Sequence, residues 1–315
     1  MSTVRDAASA ARDQTGDFEF ITVAGTRLRY FESGTGTPVV LLHGNGSMIE
    51  DFLCSGILDH AASSFRFIAF DRPGFGYSER SPGREWGPLE QAHLLLNALA
   101  RLGVERPIVV GHSWGTLVAL AMALARPEGV AGLVLMSGYY YPVPRAAAIM
   151  ASAASPFTSD ILCNAVRRLM APDTLRRVFA PCIVPERFKR GYPMAVATRV
   201  SQMKAVDQEA AGLLQATRAL GGLYGNVNVP VHLIAGSDDR IVDTELHSNR
   251  LHQELGTSTF HRIPGCGHMV HHAVPEKVIS AIDSISRAPP ERLRTLAFDP
   301  PHRNWLHIGE SLAAA

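Results

Sequence analysis

Cysteines are few in this chain, and their spacing excludes two common kinds of stabilisation. The 315 residues contain four cysteines, at positions 54, 163, 182 and 266, and no pair of them has CxxC spacing. Scattered cysteines of this kind predict neither a zinc site nor a dense disulfide framework. We therefore expect reduced thiols in a protein whose stability comes from its core.

The chain also lacks an excess of positive or negative charge, and it lacks long apolar runs. Lys and Arg number 30 against 29 Asp and Glu, which leaves a formal net charge of +1. So small a charge gives no general attraction for nucleic acid or anionic lipid. No run of about 18 apolar residues occurs, and residues 1–20 have no apolar signal-peptide core. These absences predict a cytoplasmic protein with no transmembrane segment and no nucleic-acid partner.

Motifs that bind cofactors or metals are absent as well. Gly34-Thr35-Gly36 leads into an apparent strand rather than a helix, and neither a P-loop nor an H-E-x-x-H sequence is present. A metal site made of His268, His271 and His272 is disfavoured, because no acidic or cysteine ligand is spaced with them. We expect no cofactor and no metal.

The chain does contain a regular alternation of apolar runs and helical patterns. With 46% hydrophobic and 19% charged residues it has the composition of a globular protein. Two hairpin-like runs between residues 18 and 33 precede buried runs at residues 38–42, 65–70, 107–110, 133–136 and 231–235. Helical patterns at 88–102, 115–126 and 243–255 separate several of them. Strands alternating with helices predict an α/β fold with a largely parallel sheet covered on both faces.

The alternation is interrupted once, and this predicts the domain organisation. Between residues 141 and 225 helical stretches are broken by seven prolines, and no buried strand is evident before Val229-Pro230. We interpret this segment as a helical cap inserted into one sheet. The predicted organisation is an N-terminal extension (1–17), a core (18–140 and 226–287), the cap (141–225) and a C-terminal arm (288–315).

The sequence Gly111-His112-Ser113-Trp114-Gly115 lies between an apolar strand and a helix. A G-x-S-x-G sequence in that context forms a tight turn that exposes the serine hydroxyl, and the flanking glycines avoid steric overlap. The following helix supplies N–H groups and a dipole that favour a developing negative charge. Ser113 is therefore the candidate nucleophile, although a serine here could instead serve only as a helix cap.

A serine nucleophile needs a base and a carboxylate that orients the base. His268 lies in the loop Gly265-Cys266-Gly267-His268 that leaves the predicted strand 258–263, and we assign it as the base. Asp238 and Asp239 both follow the predicted strand 231–235, at the sheet edge where open α/β sheets form their sites. The residues alone leave both aspartates as candidates, and each preserves the chain order of serine, acid and histidine.

These motifs together resemble the α/β-hydrolase superfamily over residues 18–287. Besides the serine turn, the resemblance rests on His43-Gly44-Asn45-Gly46, on the run Asp71 to Ser78 (DRPGFGYS), on Gly236-x-x-Asp239 and on Gly265-x-Gly267-His268. The family implies an eight-stranded, mostly parallel sheet with an inserted helical cap. In relatives with G-x-x-D the second acidic position orients the histidine, which favours Asp239.

The same resemblance assigns further residues to the site. Backbone N–H groups of Asn45 and Trp114 are expected to form the oxyanion hole. Substrate-pocket positions are expected at His43 and Gly44 in the loop after the third strand, at Tyr139 where the sixth strand meets the cap, and at Met269 beside the base.

The resemblance implies a class of reaction but not one substrate. We expect a serine hydrolase that cleaves a carboxylic ester or related acyl bond of a small-molecule substrate, with a homodimer left open. Relatives with an aspartate nucleophile, such as haloalkane dehalogenases, carry Gly-His-Asp-Trp-Gly at the turn, whereas this chain has Ser113. Two alternatives stay open on the same fold: hydrolysis of a C–C bond in a meta-cleavage product, and a non-catalytic ligand receptor.

Overall fold

The computed structural model describes four stretches of the chain: residues 16–60, 64–143, 173–256 and 258–288. The predicted C-terminal arm and nearly all of the predicted N-terminal extension lie outside these stretches. The same is true of residues 144–172 in the predicted cap.

Among the described residues, eight strands form one sheet in the order β1-β2-β4-β3-β5-β6-β7-β8. Only β2 pairs antiparallel with β1 and β4, and all other neighbours are parallel. The strands are β1 (Gly16–Val23), β2 (Thr26–Ser33), β3 (Thr37–Leu42), β4 (Phe65–Phe70), β5 (Ile108–His112), β6 (Gly132–Met136), β7 (Val231–Gly236) and β8 (Ser258–Ile263). The predicted eight-stranded, mostly parallel sheet is confirmed.

Helices cover both faces of this sheet. They are α1 (Ile49–Ser55), α2 (Pro88–Arg101), α3 (Trp114–Ala125), α4 (Glu186–Gly191), α5 (Met194–Ala197), α6 (Val200–Gly221), α7 (Arg250–Glu254), α8 (Val270–Ala273) and α9 (Pro275–Ser286). Residues Glu245–Asn249 form a π-helical turn that leads into α7. Within the described stretches, no helix is both long and apolar enough to cross a membrane.

The central strands are apolar throughout because each of their faces meets helices. Val40 and Leu42 of β3 lie in one buried cluster with residues of α2 and α3. Val39 and Leu41 lie in a second buried cluster with residues of α1 and α9. Each such side chain contributes about 1.5–3 kcal/mol when fully buried. The two clusters hold the sheet rigid, so the loops at its edge are built on a fixed base.

We call the segment between β6 and β7 the insertion (residues 137–230), and its described residues after 172 lie against the loop that follows β3. The Tyr192 hydroxyl donates to the Gly46 carbonyl oxygen at 3.2 Å. The Gln202 side-chain amide donates to the same oxygen at 3.3 Å. Helix α6 and the residues before it therefore contact the loop in which the oxyanion hole is predicted.

Candidate active site

Ser113 occupies a strained turn between β5 and α3. Its backbone has φ 52° and ψ −118°, a region that costs a non-glycine residue about 1–3 kcal/mol. A Cβ on Gly111 would lie 2.6 Å from the Gly115 carbonyl oxygen, and one on Gly115 would overlap the carbonyl oxygen of Leu42. Both flanking glycines are thus required by close backbone approach, and the turn lifts Ser113 out of the regular strand.

Two backbone amides flank this serine, those of Trp114 and Asn45. Trp114 is the first residue of α3 and Asn45 follows Gly44 in the loop after β3. A Cβ on Gly44 would lie only 3.0 Å from the Ser113 Cβ, so the loop backbone passes directly beside the serine. In the part of the chain that the structure describes, neither the Trp114 N–H nor the Asn45 N–H donates to a protein acceptor. Both donors are available to an oxygen atom of a ligand.

His268 and Asp239 form a hydrogen-bonded pair at the ends of β8 and β7. The His268 Nδ1 lies 2.8 Å from Asp239 Oδ2, and the two side chains are 6% and 1% exposed. Asp239 Oδ1 accepts from the backbone N–H groups of Ile241 and Val242 at 2.8 and 3.0 Å. Since a carboxylate only accepts hydrogen bonds, Nδ1 carries a proton, and in the tautomer with a single proton Nε2 keeps a lone pair.

The neighbouring Asp238 takes no part in this pair. Its carboxylate accepts from the Ser237 hydroxyl at 2.9 Å, and the residue is exposed. Of the two aspartates that the residues alone left open, the structure brings Asp239 to His268.

His112 joins the serine turn to the histidine loop. Its ring centroid lies 4.9 Å from that of His268, and its Nε2 donates to the His268 carbonyl oxygen at 3.1 Å. The residue next to Ser113 therefore contacts the backbone and the ring of His268, which fixes the two loops side by side. No pattern in the sequence indicates this role.

Comparison with known proteins shows the family. A family model described as alpha/beta hydrolase fold matches residues 37–273, which is most of the chain. The chain belongs to the α/β-hydrolase family. Ser113, Asp239 and His268 all lie at the carboxyl edge of the sheet of this α/β hydrolase.

Relatives of this α/β hydrolase are hydrolases of several chemistries. A haloalkane dehalogenase 2 of Mycobacterium tuberculosis is 28% identical over 263 residues, which cover 81% of this chain and 90% of the relative. A 2-hydroxy-6-oxo-2,4-heptadienoate hydrolase of Pseudomonas putida is 26% identical over 267 residues, covering 79% and 89%. A solved serine hydrolase involved in carbazole degradation is 25% identical, with TM-score 0.65 and coverage of 86% and 99%. The chain is an α/β-fold hydrolase, and these relatives do not narrow its substrate to one class.

The residues expected to line the pocket have different surroundings. The ring nitrogens of His43 are both used within the protein, by the Gly44 carbonyl oxygen at 2.8 Å and by the Arg72 N–H at 2.9 Å. Gly44 faces Ser113, as described above. The Tyr139 ring packs on His247 with centroids 4.2 Å apart. Met269 is half-buried and packs against an apolar cluster shared by the core and the insertion.

Beside the site, Asp51 of α1 meets His271 and His272 of α8. The two Nε2 atoms lie 3.2 and 2.8 Å from Asp51 Oδ1, and the Ser47 hydroxyl donates to Oδ2 at 3.0 Å. Burial opposes ionisation, but the two histidines hold the pKa of Asp51 well below its ordinary value. No acidic partner for these histidines is evident in the sequence, because Asp51 is 220 residues away from His271.

This Asp51 cluster has the ligand types of a metal site, since its three ligand atoms lie within 4.8 Å of one another. A metal-bound histidine usually donates its second ring N–H to an acceptor. The Nδ1 atoms of His271 and His272 are buried and have no partner among the described residues. We therefore interpret the cluster as hydrogen bonds from two histidines to one carboxylate.

Four histidines around the site are buried in the neutral form. Burial, reinforced by the positive charge of Arg72, lowers the pKa of His43 well below its ordinary value. Burial also lowers the pKa of His112 well below that value and lowers the pKa of His271. The pKa of His247 is lowered by burial to about 4, and its Nδ1 accepts the Tyr140 N–H at 3.1 Å.

These shifts predict that the fold loses stability in mild acid. The unfolded chain binds protons at its histidines as the pH falls below about 6.5, whereas the folded chain does not until the lowered pKa is reached. The free energy of unfolding should therefore fall as the pH drops from about 6.5 to 5, by up to about 1.4 kcal/mol per pH unit for each buried histidine. Urea unfolding at several pH values measures this slope.

A pair of variants separates the buried histidines from the exposed ones in that measurement. His112→Asn should reduce the slope, because it removes one neutral buried ring. His93→Gln changes an exposed histidine of α2 and should leave the slope unchanged. A slope that is the same in wild type and His112→Asn would contradict the assignment of a neutral His112.

Proposed function

We propose that this α/β hydrolase cleaves carboxylic esters or related acyl bonds of small molecules through an acyl-enzyme on Ser113. The observation that carries the proposal is the Asp239–His268 hydrogen bond beside a serine in a strained turn. The amides of Asn45 and Trp114 support it, since both lack a protein acceptor among the described residues.

In the proposed reaction Ser113 Oγ attacks the carbonyl carbon while His268 Nε2 takes the hydroxyl proton. The Asn45 and Trp114 N–H groups donate to the oxyanion, an interaction that strengthens as negative charge develops. His268 then protonates the leaving alcohol, and the acyl-enzyme forms. A water molecule, deprotonated by His268, attacks the acyl carbon and releases the acid and Ser113.

Alkyl halides fit this site poorly despite the dehalogenase relative. An aspartate that attacks an alkyl carbon forms an ester, which water can hydrolyse at its carbonyl. Ser113 attacking the same carbon would form an ether, which has no carbonyl for water to attack. The serine at position 113 therefore favours acyl substrates over alkyl halides.

The apolar contacts of the insertion favour an apolar substrate. We propose that the insertion acts as the cap predicted over residues 141–225. Phe179, Phe188 and Tyr192 of the insertion form one buried apolar cluster with Met48 of the core, and Met269 packs against it. Because Met269 directly follows His268, an acyl chain that extends from Ser113 toward this cluster would replace water with apolar contacts. We expect the cluster to accept aliphatic or aromatic acyl groups.

Hydrolysis of a C–C bond in a vinylogous diketone is the second candidate. It is favoured by the likeness to the 2-hydroxy-6-oxo-2,4-heptadienoate hydrolase, which extends over 79% of this chain. The same serine, histidine and aspartate would be used, and a ring-fission product would replace the ester as substrate.

A substrate panel tests the proposal. Initial rates are measured on p-nitrophenyl esters from acetate to palmitate, on a ring-fission product and on 1-bromobutane, before and after labelling with a fluorophosphonate. We expect ester hydrolysis that is lost when mass spectrometry finds the label on Ser113, and no release of bromide. Turnover of the ring-fission product alone would favour the second candidate. Saturable binding of a ligand with no product would favour a receptor.

A further inference from the structure

Behind the loop that carries Asn45 lies a fully buried arginine. Arg72 follows β4, and its side chain is completely inaccessible to solvent. Its Nε donates to the His43 carbonyl oxygen at 2.8 Å and its Nη2 to the Gly44 carbonyl oxygen at 3.0 Å. The guanidinium therefore binds two consecutive peptide groups of the loop.

The Gly44 carbonyl oxygen is held from three directions. Besides Arg72, it accepts the Ser47 N–H at 3.3 Å and contacts His43 Nδ1 at 2.8 Å. The His43 Nε2 accepts the Arg72 backbone N–H, so the proton of the neutral ring is on Nδ1, and Nδ1 donates to Gly44. Three donors on one oxygen fix the orientation of the peptide plane between Gly44 and Asn45.

The orientation of that plane decides where the Asn45 N–H points. The peptide is trans, and in a planar trans peptide the carbonyl oxygen and the N–H point in opposite directions. Because Arg72 binds the carbonyl oxygen on one side, the Asn45 N–H is directed to the other side of the loop.

The Arg72 guanidinium is also bound by the insertion. Its Nη1 and Nη2 atoms pair with the two carboxylate oxygens of Glu209 in α6, and both side chains are fully buried. The Gln91 side chain bridges the pair by accepting from Arg72 Nη1 and donating to Glu209, each at 2.9 Å. A buried ion pair adds little net stability because desolvation offsets its attraction. Here the pair connects α6 to the Gly44–Asn45 peptide.

We propose that Arg72 is a positioning residue for the oxyanion hole, and that Glu209 makes this positioning depend on how α6 packs against the core. The inference rests on the proposed function, since it assigns a cause to the alignment of one proposed oxyanion donor. Arg72 touches no substrate. Its effect reaches the reaction through the direction of the Asn45 N–H, and so it acts on the transition state rather than on substrate binding.

The double variant Arg72→Met/Glu209→Leu tests the proposal without leaving a buried charge unpaired. We expect it to fold with a Tm close to that of wild type. Its kcat on a p-nitrophenyl ester and its rate of fluorophosphonate labelling should both fall about 10- to 100-fold, because losing an oxyanion donor outright costs about 10²–10³-fold. KM should change less than about threefold, as expected for an interaction made only in the transition state.

Two single variants test the contribution of α6. Glu209→Gln weakens the connection to Arg72 and should lower kcat by a smaller factor, again without a matching change in KM. Gln208→Ala is the matched control. Gln208 is the preceding residue of α6 and accepts a hydrogen bond from Arg80 at 2.6 Å at the protein surface. Replacing the Gln208 side chain with alanine should leave kcat unchanged.

The outcomes separate this inference from the function on which it rests. A wild-type protein that neither hydrolyses esters nor reacts with the fluorophosphonate overturns the proposed function and this inference together. If the wild type is active and the folded double variant has the same kcat, the positioning role of Arg72 alone is overturned. Equal kcat in Glu209→Gln and wild type overturns the dependence on α6.

Discussion

Ser113→Ala is expected to lower kcat on p-nitrophenyl esters by about 10⁵- to 10⁶-fold, the scale of loss seen when a serine nucleophile is removed. Alanine has no hydroxyl to form the proposed acyl-enzyme, while His268, Asp239 and the Asn45 and Trp114 amides stay in place. The residual rate should come only from water that is positioned in the site. Full activity in Ser113→Ala would contradict the assignment of the nucleophile.

The matched control for this variant is Ser137→Ala. Ser137 follows β6, the strand next to β5, and it is also a buried serine with a positive φ, of 47°. Its hydroxyl has no partner among the described residues, so removing the hydroxyl should change kcat less than about threefold and the Tm very little. Comparison of the two variants at equal concentration isolates the loss of the Ser113 hydroxyl from the loss of any buried serine at this sheet edge.

Asp239→Asn is expected to lower kcat by about 10⁴-fold, as the same change does in a serine protease. The carboxylate accepts from His268 Nδ1 and so keeps the lone pair on Nε2. An asparagine amide that donates to Nδ1 would stabilise the opposite tautomer, in which Nε2 carries the proton and cannot act as a base. The folded structure should persist, because the introduced side-chain amide retains an oxygen that accepts from the backbone N–H groups of Ile241 and Val242.

Asp238→Asn is the control for that prediction. The two aspartates are adjacent, but only the side chain of Asp239 reaches His268, and Asp238 accepts from the Ser237 hydroxyl at the surface. We expect kcat of Asp238→Asn to stay within about threefold of wild type. A larger loss in Asp238→Asn than in Asp239→Asn would mean that the acid has been assigned to the wrong residue.

Periodicity in the sequence is sufficient to predict the sheet, but it does not predict helix α1. Continuous apolar runs predicted β3 to β7, since strands covered on both faces need apolar residues at every position. Helix α1 was not predicted, because the glycines and serine at residues 44–47 resemble a loop and the helix itself has only seven residues. Its side chains are all buried, including Glu50 and Asp51, so its polar residues gave no amphipathic pattern.

The candidate site could be predicted where its residues belong to a sequence motif, but not where residues far apart in the sequence meet. Ser113 and His268 stand in glycine-rich loops whose position between strand and helix is visible in the sequence. In the sequence, only the resemblance to the α/β hydrolases favours Asp239 over Asp238. The Arg72–Glu209 pair spans 137 residues, and no local pattern indicates that a charge in α6 lies behind the loop after β3. Such contacts depend on how the insertion packs, which periodicity does not report.

The left-handed backbone of Ser113 places the proposed chemistry and the stability of the turn in conflict at a single position. Glycine adopts this conformation without the steric cost that serine carries, so the most stable version of this turn would have no hydroxyl. Glycine at position 113 would remove the steric cost and the hydroxyl together. The strain at position 113 therefore has a use only through the hydroxyl, in the reaction proposed here.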